Sequence, residues 1–139
     1  MAFAYVGTGG IVLEGGQSFI VTAKAGVSGE CGTVLAVDGS NDVVLALATV
    51  GTALKGSFVA LHPFAAGAKV RVSRTPVIQG IVSGATPGAP IYVAEGTDSG
   101  KLTVIQPSTI GDVKSAVGMT PAADVVAFNC PNPDQQVVA

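Results

Sequence analysis

The chain has 139 residues, of which 48% are hydrophobic and only 12% charged, and its net charge is −2 at pH 7. This length fits one domain with a core of its own, but the charged fraction is about half of the roughly 25% found in an average soluble domain. The composition leaves three explanations: a membrane protein, a secreted protein of low charge, or a subunit whose surface is largely buried in an assembly.

Membrane and nucleic-acid functions are disfavoured by the pattern of apolar and basic residues. A spanning helix needs roughly 20 consecutive apolar residues, and the best run, residues 43–50, is far shorter. The strand-like segments are also too brief for a spanning barrel. Residues 1–7 lack the features of a signal peptide, so we expect assembly in the cytosol. Seven scattered Lys and Arg cannot form the continuous basic track that phosphate contacts require.

Glycine and proline divide the chain into short segments rich in Val, Ile, Thr and Ala. There are 19 glycines and 8 prolines, and no long segment shows capped, three-and-four helical spacing. Many short strands separated by turns predict an all-β fold, a single small sandwich or barrel over residues 1–139.

In the first half, the Gly-rich residues 7–10 predict the hinge of an N-terminal arm formed by residues 1–10. No Lys-Ser/Thr pair follows them, so a phosphate loop is not indicated. Strands are predicted over residues 17–23, 31–37 and 42–49, with a hairpin turn at residues 38–41. Residues 57–61 form the next strand. Residues 68–73 alternate, with Val70 and Val72 on one side and Lys69, Arg71 and Ser73 on the other, which is typical of a half-buried strand.

In the second half, strands are predicted over residues 77–82, 101–105, 113–119 and 125–128, and a Pro-Gly turn at residues 87–88 leads into a further strand that ends at residue 93. Residues 129–139 hold two prolines and several amides, which resist regular structure. They form a C-terminal tail with an apolar end. We expect this tail to dock on its own domain or on a neighbouring subunit.

No group of residues predicts an active site or a metal site. His62 is the only histidine, and no Gly-x-Ser-x-Gly motif accompanies it. One histidine and two distant cysteines do not predict zinc. The nine acids lie mostly in predicted turns, where local backbone bonding explains them. Residues 38–42 resemble calcium ligands only superficially, since the bidentate Glu is missing. We therefore predict no catalytic residue, no metal and no cofactor.

The cysteines and arginines each leave two interpretations open. Cys31 and Cys130 are far apart in sequence, so the simpler interpretation is two small apolar thiols, and a disulfide from the tail to an early strand is the alternative. Arg71 and Arg74 are the only arginines. They lie either on a solvated strand face or in a protein interface, where Arg is enriched.

The turns and strands between residues 80 and 128 follow a definite order. Gly80-Ile81-Val82 is followed by Pro87-Gly88-Ala89-Pro90-Ile91-Tyr92-Val93, Gly100-Lys101-Leu102-Thr103, Ala116-Val117-Gly118-Met119 and Val125-Val126-Ala127-Phe128. This order resembles the C-terminal half of the decoration, or cement, proteins on the capsids of tailed bacteriophages. The front half of the chain departs from the usual pattern of that family.

The resemblance implies a structural virion protein, not an enzyme. Such a jelly-roll-like β subunit binds the outer surface of the capsid as a dimer or trimer at symmetry axes, where it bridges neighbouring major capsid proteins. A phage tail or fibre component, or a secreted adhesin-like subunit, is the alternative. The expected contact residues at the two apolar ends are Phe3, Tyr5, Val137 and Val138. Those at the basic strand are Arg71 and Arg74. His62 and Phe64 are two weaker candidates.

Overall fold

The computed structural model describes residues 10–37, 43–45, 56–81, 86–93, 102–103, 113–114, 116–130 and 136–137. These residues form strands and turns, and the part of the chain described contains no helix. The strands are β1 (Ile11–Glu14), β2 (Ser18–Thr22), β3 (Val34–Val37), β4 (Val43–Leu45), β5 (Phe58–Ala60), β6 (Lys69–Ser73), β7 (Val77–Gln79), β8 (Pro90–Val93), β9 (Leu102–Thr103), β10 (Val113–Lys114), β11 (Ala116–Ala122), β12 (Val125–Phe128) and β13 (Gln136–Val137).

Two antiparallel sheets pack against each other, which confirms the predicted all-β sandwich. The first half of the chain forms a five-stranded sheet in the order β2-β6-β5-β3-β4. The second half, together with β1, forms a six-stranded sheet in the order β1-β7-β12-β11-β8-β9. Strands β10 and β13 form a separate two-stranded sheet. Residues 80–128 supply four strands of the six-stranded sheet, β8, β9, β11 and β12.

The five-stranded sheet curls until its two outer strands meet. A parallel bridge joins Ala23, just after β2, to Val43 at the start of β4. The backbone N–H of Lys24 donates to the Val43 carbonyl at 3.0 Å. This closure gives the sheet an enclosed side, as in a small barrel.

Two apolar clusters fill the structure, one between the sheets and one inside the curl. Successive residues of a strand point to opposite faces, so β3 supplies both: Val34 and Ala36 belong to the inter-sheet cluster, and Leu35 belongs to the enclosed cluster with Val70 and Val72. This explains why β3 is apolar and why its first three residues are buried although they point to both faces, whereas Val37 at its end is exposed.

Two strands are shorter than predicted, because a glycine with positive φ lies beside each of them. Gly32 has φ +96° and Gly80 has φ +94°, values in the left-handed region where a β-strand cannot continue. Strand β3 therefore begins at Val34 instead of residue 31, and β7 ends at Gln79 instead of residue 82. The predicted turn at residues 38–41 lies outside the described residues, although β3 and β4 pair antiparallel as that turn requires.

The strand predicted over residues 113–119 is two strands in two sheets. Val113–Lys114 pairs with Gln136–Val137, whereas Ala116–Ala122 lies between β8 and β12. The second strand continues through Pro121, where the register shifts between Met119 and Ala122. Proline donates no hydrogen bond, so it is tolerated at such an irregularity in the ladder.

One further expectation, the exposure of Ser73, is corrected by the packing. Ser73, expected on the solvent side of its strand, is fully buried and pairs with Val59 beside the inter-sheet cluster. Its hydroxyl accepts the N–H of Thr75 at 3.4 Å, which gives the buried oxygen a partner. Directly after the predicted arm, Ile11–Glu14 pairs with β7 as an edge strand.

The tail docks on its own domain at the positions that the structure describes. The N–H of Asn129 donates to the Val117 carbonyl at 2.7 Å, and that of Cys130 donates to the Arg74 carbonyl at 2.9 Å. Further along, Gln136–Val137 pairs with β10. The described part of the tail therefore contacts the protein's own domain, and docking on a neighbouring subunit stays a prediction.

Candidate protein-binding surfaces

The predicted contact residues at the two apolar ends are mostly outside the described part of the chain. Phe3, Tyr5 and Val138 are not described. Val137 lies in β13, where its backbone pairs with Val113. The predicted role of the two ends therefore stays a prediction.

His62 is exposed, but both of its ring nitrogens are bonded to backbone. The N–H of Arg71 donates to His62 Nε2 at 3.0 Å, so this nitrogen is the acceptor. The hydrogen is then on Nδ1, which lies 2.8 Å from the Pro63 carbonyl and donates to it. The ring fastens the turn after β5 to β6, a structural task that explains its position.

Phe64 is a core residue, which corrects its place among the contact candidates. Its side chain is only 8% exposed and packs in the enclosed cluster. Its backbone exchanges two hydrogen bonds with Gly29, at 2.9 and 3.2 Å. A Cβ on Gly29 would lie 2.9 Å from the Phe64 ring, so the ring fits against bare backbone and offers little surface to a partner.

The two arginines lie at one corner of the five-stranded sheet, together with aromatic and polar side chains. We name this surface the arginine corner; it consists of Gln17, Ser18, Phe19, Phe58, Arg71 and Arg74. Phe19 and Phe58 meet edge to face, with ring centroids 5.2 Å apart and planes at 87°. The Arg74 guanidinium lies 5.7 Å from the centroid of the Phe58 ring, within cation–π range.

Arg71 reaches the same corner from the opposite face of the sheet. Its Nη1 donates to the Ser18 hydroxyl at 3.0 Å. Ser18 and Phe19 are neighbours on β2 and therefore point to opposite faces. Arg71 accordingly lies on the Ser18 face and Arg74 on the Phe19 face, on either side of one strand.

The arginine corner also contains a groove and exposed apolar surface. Gln17, Phe19, Arg74 and Thr75 line a groove of about 360 Å³. Phe19 is 39% exposed, and Ile20, paired with Arg71 across the strands, is 54% exposed. The sequence indicated the arginines but missed Phe19, Phe58 and Ile20, since only the pairing of distant strands brings them together.

A second exposed surface is the outer face of the six-stranded sheet. Ile11, Leu13 and Met119 are 60%, 53% and 44% exposed. Val12, between the first two, packs against the inter-sheet cluster instead. We name these three exposed side chains the outer apolar face. The sequence of β1 is Ile-Val-Leu-Glu, with no alternation of apolar and polar residues, so nothing in the sequence indicated which of these side chains are exposed.

Both cysteines are buried free thiols, which confirms the simpler of the two interpretations. Burial raises the pKa of Cys130 to about 12. Burial, and then the nearby Glu30 carboxylate, raise the pKa of Cys31. The thiolate is the reactive form, so the raised pKa values lower the reactivity of both thiols at neutral pH.

We expect the folded state to lose stability above about pH 9, the usual range of a cysteine thiol. In the unfolded chain the Cys130 thiol loses its proton there, whereas the folded chain holds it until about pH 12. The thiol's contribution is therefore complete below pH 9 and falls by about 1.4 kcal/mol per pH unit above it. Urea unfolding from pH 7 to 11 measures this slope.

The matched control for the alkaline slope is the Cys130→Ala variant. It keeps every tyrosine and lysine that also titrates at high pH, so the difference between the two slopes belongs to Cys130. A variant with the same slope as the parent would contradict this assignment.

No family model and no curated protein matches this chain. In the residues that the structure describes, no helix is long and apolar enough to cross a membrane. Within that same part of the chain, no three His, Cys, Asp or Glu side chains are grouped as metal ligands.

Proposed function

We propose that this chain is a structural virion protein that binds the outer surface of a phage capsid and bridges neighbouring major capsid proteins. The single observation that carries the proposal is the outer apolar face in a chain with so few charges. Large apolar side chains grouped on a surface mark interaction sites, and the resemblance over residues 80–128 supplies the kind of partner.

The form of the fold supports a binding role over a catalytic one. The polar side chains that first suggested chemistry have structural partners: His62 bonds two backbone groups, and the thiol of Cys130 lies 3.7 Å from the Val117 carbonyl. The two surfaces named above, the outer apolar face and the arginine corner, instead offer apolar and cationic side chains. Repeated modest contacts of this kind add up when many copies bind one lattice.

The decisive experiment places the protein on a particle. Purified heads that lack the protein are mixed with it, and bound copies are counted by gel densitometry and located by electron microscopy. We expect binding at regular positions on the head surface, with a copy number set by the lattice. Binding to the tail only would favour the alternative, a tail or fibre component. Binding to no particle would overturn the proposal.

A charge on the outer apolar face should weaken head binding. We expect Leu13→Asp to lower the affinity about tenfold, because an unpaired carboxylate would be desolvated in the contact. The control is Val37→Asp, since Val37 is similarly exposed but lies on the other sheet. Equal affinities for the two variants would show that the outer apolar face is not the contact surface.

A further inference from the structure

The charges of this acidic protein are segregated along the chain. Residues 43–94 contain four of the seven Lys and Arg and none of the nine Asp and Glu. Both arginines of the arginine corner belong to this segment. A cationic surface on a protein of net charge −2 favours a partner of opposite charge at this place.

Among the described residues, no carboxylate bonds to either arginine. Arg71 is held by a neutral hydroxyl and Arg74 by an aromatic ring. Neither of these two described partners carries a negative charge. An arginine that is held in place but not paired is suited to bind a carboxylate through two parallel hydrogen bonds.

Strand β2 is the edge strand next to β6, and its other edge is open in the described structure. Arg71 contacts Ser18 on one face of β2, and Arg74 lines a groove with Phe19 on the other face. Strand β2 pairs with β6 over its full length, Ser18–Thr22. On its other side the described contact is the bridge from Ala23, after the strand has ended, to Val43. An open strand edge can accept an added strand from a partner through backbone hydrogen bonds.

We propose that the arginine corner binds an extended acidic segment of a partner protein, which pairs with the edge of β2. Successive residues of a strand point to opposite faces, so two consecutive acids in the segment present one carboxylate to Arg71 and one to Arg74. Flanking apolar residues pack on Phe19 and Ile20. This inference rests on the proposed function, because it specifies the segment of the particle protein that the chain recognises.

Fluorescence anisotropy with synthetic peptides tests the proposal without any particle. The probe is the capped, labelled peptide Ser-Val-Val-Glu-Glu-Val-Val-Ser, and its control has Gln-Gln at the centre. At low ionic strength we expect the Glu-Glu peptide to bind the wild-type protein about tenfold more tightly than the Gln-Gln peptide. A peptide with Glu-Val-Glu at the centre, which places both acids on one face, should bind more weakly than the Glu-Glu peptide.

Protein variants assign the binding to the two arginines. Arg71→Gln combined with Arg74→Gln should remove the advantage of the Glu-Glu peptide. Lys69→Gln, the same loss of charge at the other end of β6, should change its affinity no more than about twofold. Added salt should weaken binding of the Glu-Glu peptide to the wild-type protein, a measurement that needs no variant to fold.

Three results would overturn the proposal. The first is equal affinity for the Glu-Glu and Gln-Gln peptides, or no binding of either. The second is displacement of the Glu-Glu peptide by a short DNA duplex at lower concentration than by unlabelled peptide, which would indicate a nucleic-acid surface. The third is arginine-dependent self-association in sedimentation, which would make a second copy of the chain the occupant.

The head-binding assay separates this inference from the proposed function. If heads bind the wild-type protein and the double arginine variant equally, and the peptides do not bind, the inference fails and the function stands. If the Glu-Glu peptide binds through the arginines and no head binds the protein, the arginine corner is a binding site for acidic segments and the proposed capsid role is wrong.

Discussion

Replacing Gly118 by alanine should destabilise the fold by about 3 kcal/mol. Gly118 lies in β11, between Ile91 of β8 and Phe128 of β12. A Cβ at this position would collide with the carbonyl oxygen of Ala127 and would lie 2.9 Å from the Phe128 Cα. These are backbone atoms of a paired strand, so relief of the collision requires β11 and β12 to separate. Urea unfolding measures the loss as a lower midpoint.

The matched control for this substitution is Gly15→Ala. Gly15 lies in the connection from β1 to β2, and the nearest atom to an added Cβ is a Val12 methyl group at 4.0 Å. We expect a change within about 0.5 kcal/mol. Equal effects of Gly15→Ala and Gly118→Ala would show that loss of glycine flexibility, and not the close approach of the strands, sets the cost.

Replacing Ile78 by alanine should cost between about 2 and 5 kcal/mol, the range for a large core side chain that is cut back to a methyl group. Ile78 is fully buried in the inter-sheet cluster. Its strand β7 lies between β1 and β12, where Val12 and Val126 are its direct neighbours. The surrounding strands cannot collapse into the space without breaking their ladders. The free energy of unfolding from urea titration gives the value.

Ile11→Ala is the control for the core substitution. Ile11 lies on the adjoining strand and is 60% exposed, so the same truncation should cost less than about 1 kcal/mol. A large loss for Ile11→Ala would mean that the outer apolar face is covered within the monomer. That result would also weaken the proposed function, which depends on this face being available.

The two proposed surfaces would give the protein two kinds of contact. The outer apolar face belongs to the six-stranded sheet, and the arginine corner belongs to the five-stranded sheet. Apolar contact contributes affinity with little direction, whereas paired guanidinium and carboxylate groups fix orientation and partner. A subunit that bridges two neighbouring proteins needs two separate surfaces, and the two sheets supply one each.

The sequence predicted several strands and singled out the two arginines, because these signals come from neighbouring residues and from composition. The alternation at Val70 and Val72 is a property of consecutive residues, so β6 was predicted correctly. Residues 125–128 were predicted as a strand with the bounds that the structure gives. The arginines stood out because the chain has only two. Phe19 and Phe58 gave no such signal, since each is an ordinary apolar residue within its own strand.

The sequence alone determined that the chain is all-β. Glycine, proline and period-two alternation act over a few residues and can be read directly. Only the tertiary structure decided that Phe64 is core, that Ser73 is buried, and that Ile11, Leu13 and Met119 form one exposed face. These properties depend on which distant strands pair and in what register, because a shift of one residue moves every side chain to the other face of the sheet.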